Sequence, residues 1–363
     1  MLEISAKDLY QRQTTLREIG AIGQNALRNA TITIVGCGGL GSVAAVYLAA
    51  SGIGNIHLVD FDLVDVSNLH RQVFYRTEDI GKLKVEVLSN HIQSISPLVN
   101  VTFSNETVLK NNVKDIISTA AIVLDCTDDL PTKYLLNDTC VLKDKVLVYG
   151  SLYKFDGYVA TFNFMDKNGN RTTNLRDAFP EIPTKNIPNC SEIGTLNSIV
   201  GIIGLMQANE VLKAVATIGK PIVNELLIYN SLENTQYKMK LKPLFDKEKI
   251  SEIYVTENYE KNACDINDSL IISQVEFKKL LVKKRETILV ISLLDEMPEV
   301  SFTIDENVQF YDIDSWLEEL KEVAKEYIMV CNRGNNSMMA TLLFKEKYPQ
   351  VNVLSLEGGV LGF

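Results

Sequence analysis

A glycine-rich turn between two apolar runs constrains the fold of this chain more than any other feature. Residues 31–62 read TITIVGCGGLGSVAAVYLAASGIGNIHLVDFD. The first run predicts a strand, the glycines predict a tight turn that opens a helix over about 40–52, and the second run predicts another strand. Because strands joined by one helix lie side by side and parallel, this segment predicts an α/β fold.

The same turn predicts a nucleotide site. Glycines 36, 38 and 41 permit a tight turn, a close approach of the backbone to phosphate, and close packing of the helix on the strand. The helix N-terminus behind them attracts anionic oxygen. Asp60, at the end of the second strand, is placed to accept hydrogen bonds from ribose hydroxyls. NAD and ATP are both candidate occupants on these residues alone.

Cations in the next loop favour ATP. The stretch SNLHRQVF, followed by GKLKVE, places Arg71 and Lys84 one step from the phosphates, where a triphosphate needs fixed positive charges. The strand end DCTDD lies at the predicted carboxyl edge of the sheet, where ligands of open α/β sheets bind. Asp128 is therefore predicted to hold Mg2+, while Asp129 is a candidate cap of the following helix.

The 363 residues are enough for two domains with separate cores. In the first, predicted over 1–245, the strands VNVTFSN, AAIVLDCTDD, DKVLVYG and YVATFNF extend the sheet, and IVGIIGLMQANEVLKAVA predicts a buried helix. A charged, irregular stretch at 246–268 predicts a linker. A small α/β domain is predicted over 269–363, where helices alternate with the strands ETILVIS, NVQFYDI, YIMV and VNVLSL.

Composition argues against several other classes of protein. A net charge of −10 gives no global electrostatic support for a nucleic-acid partner. The N-terminus carries charges where a signal peptide needs apolar residues, and no apolar run reaches the roughly 20 residues that span a bilayer. The six cysteines contain no CxxC pair, which argues against disulfides and a four-cysteine zinc site and favours a cytoplasmic protein.

Several longer stretches between about residues 8 and 230 share one specific pattern. They are LREIGAIGQNALRNATITIVGCGGLGS, VDFDLVDVSNLHRQ, DIGKLK, LDCTDDLPTKYLLND, VYGSLYKFDGYVATF and NCSEIGTL. Together they resemble the ThiF/MoeB/HesA family, relatives of the ubiquitin-activating adenylation domains. The resemblance implies a Rossmann-like adenylation domain that forms a homodimer. It also implies that ATP and Mg2+ are used to adenylate the C-terminal glycine of a ubiquitin-like sulfur-carrier protein.

The resemblance also assigns roles to individual residues. It implies nucleotide contacts from Gly38, Gly39, Asp60, Asp62, Asn68, Arg71, Gln72, Lys84 and Asp128, and it places Arg12 at the phosphates of the partner subunit. Members of this family often hold a zinc ion through CxxC pairs near positions 172–179 and beyond 243, where this chain has no cysteines. We therefore expect no zinc site, and a mobile segment over 166–190.

Two cysteines are candidate sulfur carriers. VCNRGNNSMMATLLF puts Cys331 at a strand end and Ser337 at a helix start, so that backbone N–H groups can surround an anionic sulfur. C-x-R-G-N-x-S and the final LEGGVLGF resemble a rhodanese, although the Asp-Val-Arg stretch and the His-x-Pro-Gly loop are missing. This implies a reduced rhodanese-like domain with a persulfide on Cys331. Cys190 matches a family cysteine that bonds to the carrier, and a merely buried or exposed thiol is the alternative for it.

The two resemblances together imply a reaction in two stages. The first domain forms a carrier acyl-adenylate, and the Cys331 persulfide then converts it to a thiocarboxylate for thiamine or molybdopterin biosynthesis, with a cysteine desulfurase or a small thiol source as the sulfur donor. Two alternatives stay open at this point. One is adenylation of another peptide C-terminus, and the other is an ATP-binding scaffold whose rhodanese-like module is not catalytic.

Overall fold

The structure, a computed structural model, divides the chain into two compact units, Met1–Glu260 and Lys261–Phe363. It describes residues 5–183, 194–259, 270–283, 285, 287–294, 300–320, 326–332 and 334–360.

Strands of the first unit form a single eight-stranded sheet. They are β1 (Thr31–Val35), β2 (Asn55–Val59), β3 (Asn100–Ser104), β4 (Ile122–Asp125), β5 (Val146–Tyr153), β6 (Asp156–Phe162), β7 (Glu225–Asn230) and β8 (Thr235–Lys240). Their order is β3-β2-β1-β4-β5-β6-β7-β8, parallel from β3 to β5 and antiparallel from there on. Because the chain leaves β1 for β2 and later returns to β4 on the other side, a ligand crevice is expected at the carboxyl ends of β1 and β4.

Helices cover this sheet. They are α1 (Ala6–Thr14), α2 (Gly20–Asn29), α3 (Gly39–Ala50), α4 (Lys84–Ile95), α5 (Val113–Ile116), α6 (Leu130–Leu142), α7 (Leu175–Ala178), α8 (Asn197–Ala216) and α9 (Lys247–Thr256). The mostly parallel α/β fold predicted from the glycine turn is confirmed, with β1, α3 and β2 in the predicted places. α8 packs against α3, β5 and β6 and buries Ile199, Val200 and Ile203 in their core. Among the described helices, α8 alone is long and apolar enough to cross a membrane.

The first unit extends past the boundary that the sequence predicts at residue 245. α9 occupies the start of the predicted linker and packs on α6, burying Ile250 and Tyr254, and Tyr259 beyond it is buried as well. The ammonium of Lys110 donates to the carbonyl of Val255 at 3.3 Å and lies 5.2 Å from the centre of the Tyr254 ring. The charged composition of this stretch concealed its few apolar anchors, which bind it to the first unit.

A buried ion pair anchors part of the segment that we expected to be mobile. The Arg176 guanidinium is 2.8 Å from a carboxylate oxygen of Asp138, and both side chains are almost fully buried. The hydroxyl of Tyr259 donates to the same carboxylate at 2.6 Å. The expectation of an unanchored segment is therefore wrong as far as residue 183, and positions 184–190 lie outside the described residues.

The second unit is the small α/β fold that the sequence predicts. Its strands are β9 (Ile271–Ile272), β10 (Ile288–Ser292), β11 (Glu306–Asn307), β12 (Glu326–Val330) and β13 (Val353–Leu356), and its helices are α10 (Gln274–Lys283), α11 (Ile313–Glu319) and α12 (Asn335–Lys347). The strands form a parallel sheet in the order β11-β10-β12-β13-β9. The predicted strand NVQFYDI is wrong beyond Asn307, because Phe310–Asp312 forms a 3-10 turn instead.

Candidate functional site

The glycine turn packs tightly against both its neighbouring strand and its own helix. Gly36 has a φ of 90°, and a Cβ there would lie 2.6 Å from the carbonyl oxygen of Cys126. A Cβ on Gly41 would lie 1.8 Å from the carbonyl oxygen of Gly36, a contact that no side chain allows. The predicted close packing of helix on strand is confirmed, and it brings the ends of β1 and β4 together.

Gly38 is the open point of the turn. A Cβ there would have only the side-chain nitrogen of Gln72 within 4 Å, at 3.5 Å. Gly38 precedes α3 and has no side chain that could cap it. The first N–H groups of a helix have no partners within the helix, so those of α3 can bind a ligand. Gln72 is 4% exposed, and its buried amide oxygen has no partner among the described residues. The N–H groups can donate to an anionic ligand such as a nucleotide phosphate, whereas the Gln72 oxygen can accept from a donor such as a ribose hydroxyl.

Asp60 fixes the turn with both carboxylate oxygens. One oxygen accepts from the N–H of Cys37 at 2.6 Å, and the other accepts from the N–H of Asp62 at 2.8 Å. Burial raises the pKa of Asp60, while the nearby charge of Lys84 opposes the rise. Each oxygen keeps a further lone pair for a ribose hydroxyl. The Tyr75 hydroxyl, which the sequence analysis missed, donates to the Cys37 carbonyl at 2.7 Å and holds that peptide from the other side.

Lys84 supplies a buried positive charge beside Asp60. It is the first residue of α4, is 4% exposed, and donates to the Asp62 carboxylate at 2.7 Å. An ammonium group has three N–H donors, so donors remain for a phosphate. The structure therefore brings Lys84, Asp60 and Asp62 together as a charged cluster at the end of β2.

The Arg71 loop lies against the glycine turn. The Arg71 carbonyl oxygen would be 3.4 Å from a Cβ on Gly39. Its guanidinium donates to the Ser67 carbonyl at 2.9 Å. Asn68 ends a short 3-10 helix, where its side chain accepts from the N–H of Asp65 at 3.3 Å. These bonds fix the loop from inside and keep the predicted nucleotide-binding residues near the turn.

Asp128 lies in the turn between β4 and α6. Its side chain is exposed and, within the described part of the chain, has no hydrogen bond or ion pair. Asp129 caps α6 as predicted, accepting from the Thr132 N–H at 3.0 Å. Among the described residues, no three His, Cys, Asp or Glu side chains converge as a metal site. A carboxylate such as Asp128, with phosphate oxygens and water, is nevertheless the ligand set that Mg2+ uses with nucleotides.

Comparison with protein families matches residues 10–249 to the ThiF family. The chain belongs to this family. The sulfur carrier protein adenylyltransferase of Thermus thermophilus is 40% identical over 233 residues, covering 64% of this chain and 86% of the relative. The adenylyltransferase and sulfurtransferase MOCS3 of Caenorhabditis briggsae is 30% identical over 380 residues, covering 96% and 92%. The solved structure of E. coli MccB with MccA matches 67% of this chain and 74% of that one, with a TM-score of 0.57 and 21% identity, and so shares the fold.

Two predicted site residues, Arg12 and Cys190, are not part of the charged cluster at the end of β2 as the structure describes it. Arg12 is exposed in the last turn of α1, with the large apolar side chains of Leu16 and Ile22 exposed nearby in sequence. Cys190 lies outside the described residues. The role of Arg12 at a partner subunit and the role of Cys190 remain predictions.

The second unit forms a cradle of donors around Cys331. The cysteine follows β12 directly and is 4% exposed. Its sulfur accepts from the N–H groups of Gly334 at 3.1 Å and Ser337 at 3.3 Å, and the Ser337 hydroxyl lies 3.3 Å away. Ser355, which the sequence analysis missed, donates to that hydroxyl at 2.9 Å. The arrangement can stabilise an anionic sulfur at a helix N-terminus.

Three other cysteines are buried in the first unit, as predicted for structural residues. They are Cys37, Cys126 and Cys140. Burial raises the pKa of each thiol, because the thiolate loses its hydration. Burial therefore disfavours the reactive thiolate form of all three. Cys264 lies outside the described residues.

Proposed function

We propose that this chain uses ATP to adenylate the C-terminal glycine of a ubiquitin-like sulfur-carrier protein and then delivers sulfur to it. The product is the carrier thiocarboxylate, used in thiamine or molybdopterin biosynthesis. The observation that carries the proposal is the convergence of the glycine turn, the Arg71 loop, Lys84 and the Asp128 turn at one end of the sheet. Family membership and the names of both relatives above support it.

The adenylation step requires positioning and charge neutralisation. A carrier carboxylate attacks the α-phosphate of ATP, its oxygen forms the new P–O bond, and pyrophosphate leaves. The first N–H groups of α3, after Gly38, and the side chains of Arg71 and Lys84 hold the phosphates. Asp60 holds the ribose. Asp128 would hold Mg2+, which when bound neutralises phosphate charge. No covalent bond to the protein is needed in this step.

The sulfur step uses the second unit. The terminal sulfur of a Cys331 persulfide attacks the acyl carbon of the adenylate, and AMP leaves. The Cys190 thiolate then attacks the Cys331 sulfur, which forms a Cys190–Cys331 disulfide and releases the thiocarboxylate. A cellular thiol reductant restores the cysteines, and a cysteine desulfurase restores the persulfide. The N–H donors around Cys331 support this role because they stabilise a negative sulfur.

We also propose a cytoplasmic homodimer in which Arg12 reaches the partner's nucleotide phosphates, without a nucleic-acid or membrane partner. Exposed Leu16 and Ile22 near Arg12 in sequence support a contact between copies. Sedimentation should give twice the chain mass, and Arg12→Ala should slow adenylation without dissociating the dimer. A monomer that is fully active would contradict this arrangement.

The test of the proposed adenylation is exchange of labelled pyrophosphate into ATP in the presence of each sulfur carrier of the host. Exchange with one carrier identifies the substrate, and Arg71→Ala or Asp128→Asn should abolish it while circular dichroism stays unchanged. ATP binding without exchange with any carrier would favour the scaffold alternative. Exchange only with an unrelated peptide C-terminus would favour the other alternative.

A further inference from the structure

A buried ion pair lies directly beneath the turn that carries Asp128. Asp125 ends β4 and is fully buried, and Lys133 on α6 is 2% exposed. The Lys133 ammonium lies 3.2 Å from each Asp125 oxygen and donates to the Gly150 carbonyl at 2.8 Å. All three of its N–H donors therefore have a partner. The proposed chemistry uses neither side chain of this pair.

Asp125 in turn holds the Asp128 turn in place. One carboxylate oxygen accepts from both the N–H and the hydroxyl of Thr127, at 3.1 and 2.7 Å. The Asp125 carbonyl accepts from the side-chain amide of Gln207 at 2.8 Å. At the far end of the turn, the Asp129 cap begins the same helix that carries Lys133. The turn between Asp125 and Asp129 is thus fixed at both ends, with Asp128 as its exposed member.

We propose that Lys133 is a positioning residue that acts through Asp125 to hold Asp128 in the orientation needed to bind a divalent cation with a nucleotide. A buried carboxylate without a cation is strongly disfavoured, so an unpaired Asp125 takes up a proton or turns toward water. Either change weakens the bonds to Thr127 and loosens the turn. The cation-binding part of this inference rests on the proposed function, whereas the effect on the turn does not.

The same helix offers a matched control. Asp138 and Arg176 form a second ion pair that is as deeply buried, with side chains 0% and 2% exposed. The Arg176 guanidinium contacts Asp138, the Pro180 carbonyl and Glu257, and none of these lies in the turn between Asp125 and Asp129. Arg176→Met on α7 thus removes the cation that pairs with Asp138 of α6, whereas Lys133→Met removes the cation of the other buried pair.

The first readout is deuterium exchange at the Thr127 amide, measured on the full chain without ligand. Lys133→Met should accelerate this exchange about tenfold, which corresponds to the loss of one hydrogen bond. Arg176→Met should leave exchange through local opening of the turn unchanged, although it destabilises the first unit as a whole. Lys133→Gln keeps two donors without the charge, so it should show a smaller acceleration, and it replaces the Met variant if that variant does not fold. Unchanged protection in a folded Lys133 variant, or equal acceleration in Arg176→Met, would overturn the inference.

The second readout is the Mg2+ concentration that gives half-maximal pyrophosphate exchange. It should rise severalfold in Lys133→Met or Lys133→Gln, with part of the lost rate recovered at high Mg2+, and stay at the wild-type value in Arg176→Met. A lower rate with an unchanged Mg2+ requirement would overturn the role at Asp128. Wild-type protein without any exchange would contradict the proposed function, and the amide measurement would still decide whether Lys133 positions the turn.

Discussion

Replacing Arg176 with Met should strongly destabilise the first unit. The Arg176 guanidinium makes three contacts of 2.8–3.0 Å with the Asp138 carboxylate, and their side chains are 2% and 0% exposed. The Met side chain fills similar space but leaves Asp138 with only the neutral donors of Asn137 and Tyr259. The variant therefore leaves Asp138 as a buried charge without its cation, and it also removes the Arg176 bond to the Pro180 carbonyl and the contact with Glu257.

That cost is large because the pair is buried. Removing one partner of a buried ion pair costs about 3–5 kcal/mol, which lowers the melting temperature of a unit of this size by about 6–20 °C. The exposed pair between Lys247 and Asp144, with side chains 47% and 53% exposed, gives the matched control. Lys247→Met should change the unfolding free energy by about 0–1 kcal/mol.

Two optical signals separate the units in one sample. Trp316, the only tryptophan, is in the second unit, so its fluorescence follows that unit alone. Far-UV circular dichroism follows mainly the first unit, which holds most of the described helices. Arg176→Met should lower the dichroism transition and leave the fluorescence transition unchanged. Equal, small effects of Arg176→Met and Lys247→Met would refute the reasoning that burial makes the pair essential.

Three further predictions concern two glycine substitutions and the buried cysteines. Gly41→Ala should cost at least about 1–3 kcal/mol and abolish the stabilisation of the chain by ATP, because its Cβ would overlap the Gly36 carbonyl. Gly201→Ala, on α8 with no atom within 4 Å of the new Cβ, should be neutral or stabilise by up to about 1 kcal/mol. A thiol reagent at neutral pH should label three cysteines only after unfolding, as peptide mapping would show; they are Cys37, Cys126 and Cys140.

Much of the fold was predictable because it depends on local patterns. The glycine turn, the short apolar strands beside it and the long apolar run of α8 are local features that identify these elements without long-range information. The predicted linker failed because only a few apolar residues, among them Ile250 and Tyr254, bind a charged helix to the first unit. The prediction of an unanchored segment was wrong as far as residue 183, because bonds to distant residues, such as that of Arg176 to Asp138 38 positions away, hold it to the first unit.

The candidate site divides in the same way. The position of Asp60 beside the glycine turn was predictable, because this type of turn is followed by a carboxylate at the end of the next strand; the roles of Gly38, Arg71 and Lys84 at a nucleotide stay predictions. Lys133 and Tyr75 were missed, since their side chains act through contacts with Asp125 and Cys37 that no spacing reports. A lysine in a helix is most often a solvated surface residue, and only the packed structure shows this one to be buried.

The central claim is that the first unit activates a carrier and the second delivers sulfur. The most direct measurement is the intact mass of the carrier after incubation with ATP, Mg2+, a cysteine desulfurase, cysteine, a thiol reductant and this chain. Wild-type protein should exchange one carrier oxygen for sulfur. Cys331→Ala should yield only the carrier acyl-adenylate, with pyrophosphate exchange at the wild-type rate. A carrier mass that does not change with wild-type protein, or thiocarboxylate formed without Cys331, would contradict the account.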